Sequence, residues 1–198
     1  MKKILFTAMF VLMCAGGRAA IAAMNADDFT RLCATGTAEE IASALKYGAD
    51  ANARDADGSP ALLCAARYNN DPDAAAVLIE GGADVNAADA NGETPLMYAV
   101  ARFSNAELVQ LLLDEGAKVE VRDSDGWTVL MYAAEFGSNP EDISALIERG
   151  ADVNARVTDG TRKGVTPLMN AARSTRNLTP EKIVSVLLAG GADVNARD

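Results

Sequence analysis

Histidine is absent from all 198 residues of the chain. It is the usual general base near neutral pH, the central member of Ser/His/Asp triads and the commonest nitrogen ligand of metal ions. A nucleophilic cysteine paired with histidine is excluded for the same reason. We therefore predict a protein with no catalytic activity, no cofactor and no metal site.

Long apolar runs are also scarce, and the one near the N-terminus is short. Residues 4–15 are apolar apart from Thr7 and follow two lysines, and Ala20 and Ala22 provide a small-x-small cleavage pattern. A spanning helix needs roughly 20 apolar residues. The pattern is typical of a secretory signal peptide, so we predict one over residues 1–22.

The predicted leader sets expectations for location. Cleavage after Ala22 or Ala23 would give a periplasmic or secreted protein, in a form typical of bacteria, whose mature chain does not insert into a membrane. A lipoprotein attached through Cys14 is a weaker alternative, because Met13 stands where a small residue is expected.

Positive charge is scarce. The chain has 18 Lys and Arg residues against 28 Asp and Glu residues, a formal net charge of −10. Cleavage would remove three basic residues and no acidic residue, leaving −13. Such a surface repels phosphate backbones and anionic lipids. Nucleic acid is therefore not an expected partner.

Only Cys33 and Cys64 would remain after cleavage. They occupy different positions on successive predicted helices, which pack about 10 Å apart. A disulfide needs α-carbons within about 7 Å. We therefore predict two buried thiols.

A phrase recurs along the chain. Gly58, Gly92 and Gly126 open the copies Gly-Ser-Pro-Ala-Leu, Gly-Glu-Thr-Pro-Leu and Gly-Trp-Thr-Val-Leu at intervals of 34 residues. A fourth copy opens at Gly164, 38 residues further on. Each unit closes with Gly-Ala-Asp-Val-Asn or a close variant.

A period near 33 residues with Gly-x-Thr-Pro-Leu and Gly-Ala-Asp-Val-Asn resembles the ankyrin repeat family. The resemblance covers residues 27–198 and implies an all-α solenoid of about five helix-turn-helix repeats. The expected units are 27–54, 55–88, 89–122, 123–156 and 157–198.

Particular residues of each unit account for where its helices begin and end and how they pack. Thr94 can cap the first helix and Pro95 suits its first position. Gly116 supplies the left-handed residue that ends the second helix. Thr37 with Glu40 predicts a capping box in the first unit. Pairs of alanines on the first helices, residues 65–66, 133–134 and 171–172, allow close stacking.

Two departures from simple patterns also carry expectations. Family members usually have a hydrogen-bonding histidine after Thr-Pro-Leu, and its absence predicts apolar packing at the equivalent residues Leu63, Met97, Met131 and Met169.

The Asp-rich turns at residues 55–58 and 123–126 lack two ligands of a calcium loop. We therefore interpret them as turns whose aspartate side chains bond to their own backbone. Acidic pairs such as Glu141-Asp142 begin second helices, where the helix dipole favours them.

The resemblance implies protein–protein interaction through a concave surface made of turn tips and the exposed side of the first helices. The tip positions that vary between repeats are Asp57, Ser59, Asn91, Glu93, Asp125, Trp127 and Val165. The varying helix positions are Arg67, Tyr68, Arg102, Glu135, Phe136, Arg173 and Ser174.

Among these, we expect Trp127, Tyr68 and Arg102 to lead partner binding, with Phe136 beside them, because Trp, Tyr and Arg are enriched in interface hot spots. Trp127 is the only tryptophan. The alternative for it is a local hydrophobic lid over the adjacent turn. Tyr98 and Tyr132 are expected in the packing of the first helices.

We therefore predict a monomeric, exported module for a protein partner of unknown identity. Two alternatives stay open: a secreted effector or inhibitor, and a fragment or structural portion of a larger exported protein. The second arises because residues 197–198 match the start of another turn.

Overall fold

The structure is a computed structural model that describes residues 24–69, 71–101, 105–137, 139–158, 160–175 and 179–198. The predicted signal peptide lies outside the described residues. Within them the chain forms ten α-helices and no β-strand. The predicted all-α class is confirmed.

The helices form five pairs arranged in two layers. The first helix of each pair, called the inner helix, is α1 (Ala26–Thr35), α3 (Ala61–Tyr68), α5 (Pro95–Ala101), α7 (Val129–Phe136) or α9 (Pro167–Arg173). The second, called the outer helix, is α2 (Ala38–Lys46), α4 (Pro72–Glu80), α6 (Ala106–Asp114), α8 (Pro140–Glu148) or α10 (Pro180–Ala189). Inner helices pack on neighbouring inner helices and outer on outer, which is the layout of a solenoid.

The inner helices begin as the sequence predicts. The hydroxyls of Thr94 and Thr166 each accept a hydrogen bond of 3.4 Å from the backbone N–H three residues later.

The outer helix α2 of the first unit begins with a reciprocal pair of hydrogen bonds. Glu40 N–H donates to the Thr37 hydroxyl at 3.2 Å, and Thr37 N–H donates to the Glu40 carboxylate at 3.0 Å. The predicted capping box is confirmed.

The outer helices end at left-handed glycines. Gly116 has φ +86°, and the same position is left-handed in the other four units. A residue with a Cβ is strained in that conformation. The prediction that glycine stops each outer helix is confirmed.

Small and soft side chains fill the space between inner helices. Ala133 and Ala134 are buried, and so are Met97 and Met131 at the position where the family usually has histidine. Small alanines let the backbones approach, and the flexible thioethers fill the remaining gaps. In the fifth unit this packing is less complete, because Ala172 is exposed.

Side-chain hydrogen bonds join one unit to the next. Asn52 donates to the carbonyl of Gly82 at 2.9 Å and accepts from the N–H of Asp84 at 2.8 Å. Asn86 and Asn154 repeat this arrangement. Because these bonds satisfy backbone groups across the boundary between units, they fix the position of each turn relative to its neighbour.

Cys33 and Cys64 are free thiols and both are buried, as predicted. Burial raises the pKa of both thiols, to about 12 for Cys64, where the Asp55 carboxylate adds to the shift. Since the thiolate is the reactive form, both cysteines are expected to be inert at neutral pH.

Candidate interaction surface

The turn tips are organised by aspartates. Asp123 Oδ1 accepts hydrogen bonds from the N–H groups of Asp125 at 2.9 Å and Trp127 at 2.8 Å. Asp55 and Asp89 hold their own turns in the same way. These carboxylates therefore act as turn residues, as the sequence analysis predicted. Among the described residues, no group of His, Cys, Asp or Glu is arranged to hold a metal ion.

An arginine lies between two tyrosines on the surface of α3 and α5. The guanidinium carbon of Arg67 is 5.0 Å from the ring centre of Tyr68 and 4.9 Å from that of Tyr98. Tyr68 is 55% exposed, whereas Tyr98 is half-buried. The cation is therefore held between two aromatic rings, one of which is open to solvent.

Glu93 joins this group to the next inner helix. Its carboxylate accepts a hydrogen bond from the Tyr98 hydroxyl at 2.6 Å and lies 2.8 Å from the hydroxyl of Tyr132 on α7. Burial alone raises the pKa of a carboxyl, but these hydrogen bonds outweigh it and hold the pKa of Glu93 below its ordinary value. Glu93 is therefore ionised at neutral pH.

Tyr132 lies between two carboxylates. Its hydroxyl is 2.6 Å from Asp123 Oδ2 and 2.8 Å from Glu93 Oε1, and its single proton can be donated to only one of them at a time. Burial and these two acceptors raise the pKa of Tyr132 well above its ordinary value. The expected packing role of Tyr98 and Tyr132 is thus incomplete. Both hydroxyls bond to Glu93, and the contact of Tyr132 with Glu93 connects two repeats.

Trp127 does not lie on an exposed tip. It is 9% exposed and packs in a cluster with Met131, Ala155, Val157 and Val165, which we call the tip cluster. Its ring stacks on Phe136 with ring centres 6.1 Å apart. Trp127 and Val165 are both buried, so the alternative of a local hydrophobic lid describes the position of Trp127 better than an exposed tip does. The physical reason is the apolar pair Val157 and Val165, which flanks the insertion in the fifth unit. Partner binding by Trp127 stays a prediction.

The insertion itself covers Trp127. Residues Gly160–Arg162 form a 3-10 helix, and the guanidinium carbon of Arg162 lies 5.0 Å from the Trp127 ring centre. The same guanidinium forms an ion pair of 3.3 Å with Glu135. One carboxylate oxygen of Glu135, a predicted partner contact, is therefore occupied within the chain, and the other is buried without a hydrogen bond among the described residues.

The remaining predicted contacts differ in their exposure and in their bonding partners. Arg173 is exposed and forms a 3.2 Å ion pair with Asp198, while the Ser174 hydroxyl donates to the backbone carbonyl of Glu135. Arg102 lies outside the described residues. The structure thus brings Arg67, Tyr68 and Glu93 together on one surface and withdraws Trp127 and most of Phe136 from it.

No helix in the described part of the chain is long and apolar enough to cross a membrane.

A family model described as ankyrin repeats (3 copies) matches residues 30–123 and 100–198, which together span most of the chain. No match is found among curated proteins. The matched residues contain the paired helices, the capped starts and the left-handed glycines described above. The chain therefore belongs to the ankyrin repeat family.

Proposed function

We propose that the chain is an exported, non-catalytic module that binds a protein partner through the concave surface of its inner helices and turns. Ankyrin repeats are generally protein–protein interaction modules and are typically not catalytic. The observation that carries the proposal is the exposed ring of Tyr68 beside Arg67, whose guanidinium is fixed between two aromatic rings.

This group has the properties of a binding hot spot. Tyrosine and arginine are enriched where interfaces gain most of their affinity. Arg67 is already positioned by Tyr68 and Tyr98, so less side-chain entropy is lost when a partner binds. The ionised Glu93 beside them adds an acceptor for polar partner groups.

The test is a pull-down from periplasmic extract of the producing cell with three forms of the mature chain: wild type, Tyr68→Ala and Tyr47→Ala. Tyr47 is the matched control, because it is 43% exposed but lies at the end of the outer helix α2. We expect the wild type and Tyr47→Ala to retain one partner that Tyr68→Ala loses. Equal retention by all three forms, or retention by none, would contradict the proposed surface.

Export is supported by the positively charged start, the short apolar run and the small residues at positions 20 and 22. Mass spectrometry of the full-length gene product, after cell fractionation, tests it directly. We expect an N-terminus at Ala23 or Met24 in the periplasmic or external fraction. A chain that keeps Met1 and stays in the cytoplasm would exclude export.

A further inference from the structure

An open groove of about 550 Å³ lies between the outer helices α6 and α8. We call it the outer-helix groove, and its lining includes Ala106, Glu107, Val109, Glu141, Asp142 and Ala145. The short side chains of Ala106 and Ala145 leave the space open. The groove is on the other layer of the solenoid from Tyr68 and Arg67, so its function is independent of the surface proposed above.

The groove contains a carboxylate that is largely removed from solvent. Asp142 is 6% exposed, and its Oδ1 accepts one hydrogen bond of 2.9 Å from the side-chain amide of Asn139. No other side chain or backbone group in the described residues bonds to this carboxylate. A largely buried carboxylate with a single hydrogen-bond partner gains more from a cation than an exposed carboxylate does.

Among the described residues that line the groove, none is a lysine or an arginine. Glu107 and Glu141 add two exposed acidic groups at its edge. The floor is apolar, with Val109 almost fully buried. No group of acidic residues in the described part is arranged to hold a metal ion. The ligand that fits these observations is an organic cation with an apolar stem.

We propose that the outer-helix groove binds an arginine side chain from a basic segment of a partner protein. The methylene stem would pack against Ala106, Val109 and Ala145, as the stems of long basic side chains do on apolar surfaces. The guanidinium would donate to Asp142, with Glu107 and Glu141 attracting it from the edge. Arginine suits this site better than lysine, because its guanidinium is more weakly hydrated and forms partly buried ion pairs more readily.

The experiment is an NMR titration of the purified mature chain with N-acetylarginine N-methylamide. N-acetylnorleucine N-methylamide, which has an apolar stem and no charge, is the control ligand. We expect saturable, millimolar binding of the arginine derivative, with the largest shift changes at Ala106, Val109 and Ala145. The norleucine derivative is expected to bind at least about tenfold more weakly, because it lacks the charge-assisted hydrogen bond.

Two variants separate the groove from general attraction to an acidic protein. Asp142→Asn keeps the acceptor for Asn139 and removes only the charge, and Glu148→Gln removes an exposed charge from the same helix outside the groove. We expect Asp142→Asn to weaken binding about tenfold or more and Glu148→Gln to change it less than about twofold. Thermal unfolding of both variants checks that each is folded.

Four results would overturn the proposal. The first is shift changes spread over many acidic surface residues, and the second is equal weakening by Asp142→Asn and Glu148→Gln. The third is no saturable binding of the arginine derivative. Equal binding of the norleucine derivative would show that the groove accepts an apolar group and not a cation, which also contradicts the proposal.

Discussion

Replacing Trp127 by alanine lowers the free energy of unfolding by about 3 to 4 kcal/mol, within the range for removing a buried aromatic side chain. The indole is 9% exposed and contacts Met131, Val157 and Val165. Alanine would leave a cavity in this cluster and remove the edge-to-face contact with Tyr132, whose ring centre is 5.6 Å away. Urea unfolding followed by far-UV circular dichroism measures the loss.

The loss is expected to concentrate in one part of the solenoid. Trp127 belongs to the fourth unit, whereas Val157 and Val165 belong to the turn of the fifth. Repeat proteins are stabilised by interfaces between neighbours, so the variant should open the fifth unit first. Hydrogen exchange should therefore accelerate in α9 and α10 and change little in α1 and α3.

Two controls define what would contradict this result. Trp127→Phe keeps most of the apolar volume and should lose about 1 kcal/mol. Tyr68→Ala removes an exposed ring and should stay within about 0.5 kcal/mol of the wild type. If Trp127→Ala were as mild as Tyr68→Ala and yet lost the partner, Trp127 would be the exposed contact that the repeat pattern predicts.

Most of the fold follows from the sequence because its signals are local and recur in each unit. Thr94 caps a helix whose first turn contains Pro95, and Gly116 ends the next helix, whichever neighbours they have. The packing of methionine at the usual histidine position is also predictable. Met97 and Met131 have apolar side chains at a position that faces the neighbouring inner helix, so they are buried there.

The position of Trp127 could not be predicted in this way. The repeat pattern places it at a turn tip, but its burial depends on Val157 and Val165, which flank an insertion that interrupts the period. The insertion folds back so that Arg162 lies over the indole. Repetition gives no information about residues that occur in one unit only.

The hydrogen bonds of the tyrosine hydroxyls have a partial signal in the sequence. Asp89 and Tyr98 are nine residues apart, as are Asp123 and Tyr132. In the fourth unit this spacing brings hydroxyl and carboxylate within 2.6 Å of each other. The contribution of Glu93 is harder to predict, because it depends on contact between two units.

At Asp142, burial outweighs the local effect of the helix dipole. An acidic residue in the first turn of a helix is favoured by the helix dipole, so the sequence predicts that Asp142 stabilises its helix. Burial has the larger effect in the structure and raises the pKa of Asp142 from 3.8 to about 6, with Asn139 opposing the shift and Glu141 adding to it.

Asp142→Asn is therefore expected to stabilise the protein by about 2 to 3 kcal/mol at pH 7.5, since each pKa unit corresponds to about 1.4 kcal/mol. The amide keeps the hydrogen bond with Asn139 and has no charge to desolvate. Urea unfolding of wild type and variant from pH 4 to 8 measures the difference.

The pH dependence fixes the sign of the effect. The folded-state pKa of Asp142 lies above the unfolded value, so between about pH 4 and pH 6 the folded chain holds a proton that the unfolded chain has lost. Stability of the wild type relative to the variant is therefore highest below pH 4, falls as pH rises through about 6, and is lowest above pH 7. The difference between the two proteins should almost vanish near pH 4.

Glu148→Gln provides the control, because Glu148 is exposed on the same helix and its replacement should change stability by less than about 0.5 kcal/mol across this range. If Asp142→Asn were destabilising at pH 7.5, the carboxylate would have a cationic partner within the folded chain. An arginine from another protein would then have no free acceptor in the groove. The stability measurement and the titration with the arginine derivative therefore test the same property of Asp142 by independent means.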